Sequence, residues 1–77
     1  MPGRRRLHPV APDRAIRAFE RAGGKLVRQK GGHAIIDADG WPRPVVIPMH
    51  RRDVTPGTLR GNIRTAGLTV EEFLKLL

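Results

Sequence analysis

Residues 25–37 read KLVRQKGGHAIID, and this stretch decides the fold. Residues 26–29 alternate apolar and polar side chains, which predicts a half-buried β-strand with Leu26 and Arg28 on the same face. The lysine and two glycines that follow predict a tight turn, and residues 33–37 predict a second strand. The two strands are therefore expected to form an antiparallel hairpin.

A third strand and a first helix are predicted on either side of this hairpin. Asp39-Gly40 is a strong turn signal, and residues 45–47, closed by Pro48, predict a strand that extends the sheet as an antiparallel meander. Upstream, residues 12–22 predict a helix that begins at a proline and stops before Gly23.

Two further helices are predicted after the sheet. Thr58 is expected to cap an amphipathic helix that ends at Gly67. Thr69 and Glu72 have the spacing of a capping box, which predicts a short helix at the C-terminal end.

These elements predict an α+β fold in the order α-β-β-β-α, followed by the short C-terminal helix. A three-stranded antiparallel sheet with its helices on one face is the natural two-layer arrangement. We expect a single domain over residues 12–77. Residues 1–11 contain three consecutive arginines and show no periodicity, which predicts a flexible basic arm.

The charge of the chain indicates the class of its partner. The 77 residues include 15 Lys and Arg against 7 Asp and Glu, a formal net charge of +8. Such an excess on a small body favours a phosphate polyanion, with an acidic protein as the alternative. We expect a cytoplasmic protein, because the sequence shows no membrane span, no secretory signal and no cysteine.

Few residue types are available for catalysis, because the chain has no cysteine, serine or tyrosine. Its three histidines, His8, His33 and His50, do not have the spacing of metal ligands. Asp37 and Asp39 have no third carboxylate beside them. We therefore predict neither a metal site nor a cofactor.

His33 has the neighbours that a phosphate-cleaving site needs. Two cations, Arg28 and Lys30, and two glycines precede it at the start of a predicted strand. Glycine amides approach a phosphate closely, the cations balance its charge, and an imidazole exchanges a proton near neutrality. The simpler alternative is that the glycines only make the turn and His33 only begins the strand. The residues alone leave both interpretations open.

Four segments in fixed order carry a resemblance to a known family. They are VRQKGGH (27–33), VIPMH (46–50), PGTLRGNI (56–63) and AGLTVEEFL (66–74). The chain resembles, over about residues 13–77, the HicA-type mRNA interferase toxins of type II toxin–antitoxin systems. That family has Lys-Gly-Ser-His after a strand, a second strand ending in Pro-x-His, then Gly-Thr-Leu and an Ala-Gly-Leu helix end.

The resemblance implies a fold like a double-stranded-RNA-binding domain, endoribonuclease activity on mRNA, and inhibition by a HicB-type antitoxin. It also implies that His33 is the catalytic residue, acting as general acid or base. We expect His50 as a second candidate acid or base. The residues expected to contact RNA phosphates are Arg28, Lys30, Gly31, Gly32, Arg51 and Arg52.

Two positions depart from the family pattern. Gly32 stands where the family has serine, and Ala34 stands where the family often has a second histidine. Two rival functions therefore stay open: a non-catalytic RNA-binding module on the same fold, and a basic protein–protein adaptor. Trp41 is expected either to stack on a base or to cover an edge of the core.

Overall fold

A computed structural model gives the architecture and describes residues 6–77. Three strands form one antiparallel sheet in the order β1-β2-β3, and three helices accompany it. The elements in chain order are α1 (Pro12–Arg21), β1 (Lys25–Lys30), β2 (His33–Asp37), β3 (Val45–Pro48), α2 (Pro56–Thr65) and α3 (Val70–Leu76).

The helices cover one face of the sheet and leave the other open. The covered face carries fully buried residues of the two inner strands, Ala34 and Ile36 on β2 and Val45 and Ile47 on β3. Helix α1 packs against all three strands, α2 packs against β3, and α3 packs against α1 and α2. The predicted α+β fold of the double-stranded-RNA-binding-domain class is confirmed.

The predicted facing of β1 is wrong because the strand contains a bulge. Leu26 pairs with the buried Ile36, whereas Arg28 pairs with Ile35 on the open face. The register shifts between Leu26 and Arg28, so Val27 is an extra residue and strict alternation is lost. All six residues of β1 are exposed, so the strand is not half-buried as predicted.

The centre of the core is aromatic. Phe19 on α1 and Phe73 on α3 are fully buried, with ring centroids 5.0 Å apart. Trp41 lies half-buried against this core, edge-on to Phe19 at 6.5 Å. Trp41 therefore covers an edge of the core, as one of the two sequence interpretations held.

The N-terminal segment packs before residue 12. Leu7 and Val10 are buried, and the backbones of Val10 and Val54 exchange two hydrogen bonds of 3.1 and 2.7 Å. The folded part of the chain thus begins earlier than the predicted domain boundary, because two apolar side chains of the predicted arm join the core. The remainder of that arm, residues 1–5, lies outside the described residues.

Helix α2 begins earlier than predicted. Thr55, rather than Thr58, is its N-cap: the Thr55 Oγ1 accepts the backbone N–H of Thr58 at 3.3 Å, and Pro56 occupies the first helical position. The predicted capping box of Thr69 and Glu72 at the start of α3 is confirmed, since both of its reciprocal hydrogen bonds form.

Asn62 of α2 closes the outer edge of β3. Its Nδ2 donates to the Val46 carbonyl at 3.0 Å, and its Oδ1 accepts the Val46 N–H at 3.4 Å. The side-chain amide therefore takes the place of a neighbouring strand at this position. Across residues 6–77, no helix is long and apolar enough to cross a membrane.

Candidate active site

On the open face of the sheet, His33 lies in one cross-strand row with Lys30 and Pro48. On β2, His33 pairs with Lys30 of β1 on one side and with Pro48 of β3 on the other. Directly opposed residues of antiparallel strands share a face, with Cβ atoms about 5 Å apart. Arg28 belongs to the next row of the same face, opposite Ile35. The sheet register thus brings both cations of the hairpin to the side of His33.

A two-residue turn joins Lys30 to His33. Gly31 and Gly32 both have positive φ, +56° and +82°. Positive φ at both central residues defines the hairpin turn whose twist matches that of the strands, and glycine adopts it without steric cost. The predicted turn is confirmed, and it sets the ends of β1 and β2 level with each other.

His50 lies beside His33, although the two are 17 positions apart in the sequence. The centroids of the two imidazole rings are 5.9 Å apart, and the rings are nearly perpendicular at 76°. Both side chains are exposed. The pairing of β2 with β3 produces this proximity, because it sets Pro48 opposite His33 and leaves His50 just beyond the end of the sheet.

The Gly32 carbonyl connects the hairpin turn to the segment after β3. It accepts the backbone N–H of Met49 at 2.6 Å, and the His50 Nδ1 lies 3.4 Å from the same oxygen. The peptide unit between Gly32 and His33 is thus held against the chain that carries His50. Met49 was not among the predicted site residues. Met49 contributes only its backbone N–H, and a search for side-chain motifs does not detect such a contribution.

Arg51 and Arg52 follow His50 in an exposed loop. Among residues 6–77, neither side chain makes a hydrogen bond or an ion pair, and the same holds for the side chains of Arg28 and Lys30. Among the described residues, the ion pair that does form lies elsewhere, between Arg17 and Asp13 on α1. The four cations predicted to contact phosphate are therefore left uncompensated by carboxylates within the described residues.

Ala34 lies outside the site, despite its place next to His33 in the sequence. Its side chain is fully buried on the covered face, opposite Gln29 and Ile47. A histidine at this position would point away from His33, because neighbouring residues of a strand face opposite sides. The departure at Ala34 therefore removes nothing from the open face.

The carboxylates do not gather near the histidines. Within the part of the chain that the structure describes, no group of three or more His, Asp or Glu side chains is placed to hold a metal ion. His8 lies on the N-terminal segment, lining a groove with Pro9 and Arg14. The residues that the fold brings together at this end of the open face are two histidines, the turn glycines and cationic side chains.

The fold and this open face define a class: a small, basic α+β domain of the double-stranded-RNA-binding-domain type with paired histidines at one end of its sheet. Residues 12–68 match the family model described as the HicA toxin of bacterial toxin-antitoxin. The chain belongs to this HicA toxin family, and the resemblance predicted from its four segments is confirmed. It is thus a toxin of a toxin–antitoxin system, with an antitoxin as its partner. A comparison with curated proteins finds no match.

Proposed function

We propose that this toxin is a metal-independent endoribonuclease that cleaves mRNA in the cytoplasm. The observation that carries the proposal is the pair of exposed imidazoles, 5.9 Å apart, beside Lys30 and the glycine turn. Cleavage of RNA without a metal needs one group to take a proton and another to return one. Two adjacent histidines supply both groups within reach of one phosphodiester.

The proposed reaction uses the ribose 2′-OH as the nucleophile. One imidazole takes the 2′-OH proton while the 2′ oxygen attacks the neighbouring phosphorus. The bond from phosphorus to the 5′ oxygen then breaks, and the second imidazole gives that oxygen a proton. The products are a 2′,3′-cyclic phosphate and a free 5′-OH. His33 is the central acid–base residue in this scheme, and His50 is its partner.

In this proposal the β1–β2 hairpin stabilises the negative charge that develops on the phosphate oxygens. Lys30 lies directly opposite His33, and Arg28 lies one row further along the open face. Preorganised cations and backbone N–H groups stabilise such charge strongly, and the turn amides of Gly31 and Gly32, which directly precede His33, are the candidate backbone donors. Arg51 and Arg52 extend the positive surface beyond His50 along the RNA.

The partner in this proposal is an antitoxin of the HicB type. A cytoplasmic ribonuclease made by its own host needs an inhibitor, and family membership supplies an antitoxin in general. An inhibitor that covers the open face would block His33, His50 and the hairpin cations together. This surface is positively charged, so an inhibitor with acidic side chains at the contact is favoured.

The test is cleavage of a single-stranded RNA by the purified protein in EDTA. We expect His33→Ala to lose about 10²–10⁴-fold in rate, the usual contribution of a general acid or base. His8→Ala is the matched control, since it removes an exposed imidazole that has no contact with the pair. Cyclic-phosphate ends on the products identify the 2′-OH as the nucleophile.

Three outcomes would contradict the proposal. Cleavage by His33→Ala at the parent rate removes His33 from the mechanism. A folded parent that binds RNA but never cuts it supports the rival function, an RNA-binding module without catalysis. The basic adaptor is supported instead if the parent has no RNA affinity even at low salt.

A further inference from the structure

We propose that Gly32 is the positioning residue for His50, because in this chain the imidazole occupies the space that a side chain at position 32 would take. The inference rests on the proposed ribonuclease function for its catalytic part. Its structural part stands independently, since it concerns where the imidazole lies and which of its nitrogens carries the proton.

The space that a side chain would need at position 32 is filled by His50. A Cβ added to Gly32 would lie 2.9 Å from the His50 Nδ1, closer than carbon and nitrogen approach without displacement. The nearest atoms around that Cβ, out to 3.8 Å, all belong to the same imidazole side chain. The bare Cα of Gly32 and the ring of His50 thus form one packed unit.

The backbone of Gly32 also fixes the ring chemically. Its carbonyl oxygen has two lone pairs, of which Met49 N–H takes one at 2.6 Å. The His50 Nδ1 lies 3.4 Å from the same oxygen, and a proton on Nδ1 makes this a hydrogen bond that the other tautomer cannot form. In the tautomer that we assign, Nδ1 donates to Gly32 and Nε2 is left for the RNA.

This arrangement links the two histidines through one peptide unit. The Gly32 carbonyl that receives His50 belongs to the peptide bond whose nitrogen is that of His33. Movement of the turn therefore displaces both imidazoles together, and the 5.9 Å separation of their rings is set by Gly32. The serine that the family pattern has here would add a Cβ where this chain has His50.

The decisive comparison is Gly32→Ala against Gly40→Ala. Both glycines have similar positive φ, +82° and +89°, so an alanine is strained at both positions. A Cβ at Gly40 meets nothing within 4 Å, whereas a Cβ at Gly32 meets His50. Gly40 also lies in the β2–β3 connection and has no part in the proposed site. The pair of variants separates displacement of His50 from simple loss of stability.

The first readout is the imidazole nitrogen NMR spectrum of the full chain, at a pH where histidines are neutral. We expect the parent and Gly40→Ala to show His50 as the Nδ1–H tautomer. Gly32→Ala is expected to shift the His50 nitrogens towards the mixture of a free imidazole, while the thermal midpoint falls equally in both variants. An unchanged His50 spectrum in a folded Gly32→Ala overturns the inference.

The second readout is RNA cleavage. Gly32→Ala is expected to lose kcat by about the same factor as His50→Ala, with KM unchanged, and the double variant to lose no more than either single one. Losses that multiply in the double variant overturn the positioning role. If Gly32→Ala does not fold, Gly32→Asn replaces it, because asparagine tolerates positive φ and still carries the Cβ.

The two proposals fail in different ways. A parent that never cuts RNA, with the expected NMR difference between Gly32→Ala and Gly40→Ala, removes the ribonuclease function and keeps the packed unit of Gly32 and His50. A parent that cuts RNA through His33, with an unchanged His50 spectrum in Gly32→Ala, keeps the function and removes the inference.

Discussion

His33 begins β2 and His50 follows β3, and only His33 has cations and glycines directly before it in the sequence. The cations and glycines before His33 suit a phosphate site, but they equally suit a plain turn, and it is the family resemblance that favours the site. His50 has no such surroundings, and its proximity to His33 follows from pairing in the sheet. The sequence therefore offers both histidines as acid–base candidates, and the three-dimensional fold shows that they lie side by side.

The pH dependence of cleavage tests whether the two imidazoles act as acid and base. A mechanism that needs one neutral and one protonated histidine gives a bell-shaped profile of kcat/KM, whose limbs belong to the pair. We expect His50→Ala to lose one limb. Loss of the alkaline limb identifies His50 as the acid, and loss of the acidic limb identifies it as the base. A bell with both limbs intact in His50→Ala would contradict the pairing.

Gly24 is expected to be the glycine least tolerant of a side chain. A Cβ there would lie 2.7 Å from the Ile36 Cγ2, 2.7 Å from the Trp41 ring and 2.9 Å from the Phe19 carbonyl oxygen. Overpacking of this kind costs about 1–3 kcal/mol, so Gly24→Ala is expected to lower the free energy of unfolding by that amount in urea denaturation.

The matched control for Gly24 is Gly61, inside α2. A Cβ at Gly61 meets nothing within 4 Å, and alanine favours the helix over glycine by about 0.5–1 kcal/mol. Gly61→Ala is therefore expected to stabilise the protein while Gly24→Ala destabilises it. Equal effects of the two changes would show that the contacts around Gly24 do not matter for stability.

At the scale of elements, the sequence predicts the type and order of every helix and strand but not their irregularities. The alternation in residues 26–29 predicts a regular strand, whereas the extra residue Val27 puts Leu26 and Arg28 on opposite faces. A bulge depends on how the partner strand pairs, so alternation within one strand cannot reveal it. Thr58 was likewise predicted to cap α2, whereas the helix begins one turn earlier, with Thr55 as its cap and Pro56 in the first helical position.

The hydrogen bonds between Asn62 of α2 and the outer edge of β3 are expected to contribute to stability. Asn62→Ala removes both hydrogen bonds to Val46 and is expected to cost about 1 kcal/mol in the free energy of unfolding. Asn62→Asp is expected to cost at least as much, since a carboxylate cannot donate to the Val46 carbonyl. Arg60→Ala, an exposed change on the same helix, is the control.

Asn62→Ala also tests whether the Asn62 side chain protects the protein against aggregation. An uncovered strand edge is a template for another strand, and β3 loses its cover in Asn62→Ala. Light scattering of the folded variant is expected to rise with concentration, while Arg60→Ala behaves as the parent. Equal scattering by both variants would mean that the edge of β3 is protected by something other than Asn62.

At the scale of the molecule, the proposed function makes RNA binding depend on charge. The net charge of +8 predicts an affinity for RNA that falls steeply with salt. If Arg28, Lys30, Arg51 and Arg52 each neutralise one phosphate, the slope of log K against log salt on single-stranded RNA is about −3, from roughly −0.7 per contact. Arg28→Gln is expected to flatten this slope by about 0.7, measured by fluorescence anisotropy. A slope that does not change would place Arg28 away from the RNA.

The contacts of the Gly32 carbonyl matter for folding as well as for the position of His50. It joins segments that lie 18 residues apart, and no local turn brings them together. A nascent, nicked or partly unfolded chain therefore has two isolated imidazoles, while the folded chain has a pair. On the proposed function, harm to the host begins only once β2 has paired with β3, so an antitoxin synthesised alongside the toxin has that part of the folding time in which to reach it.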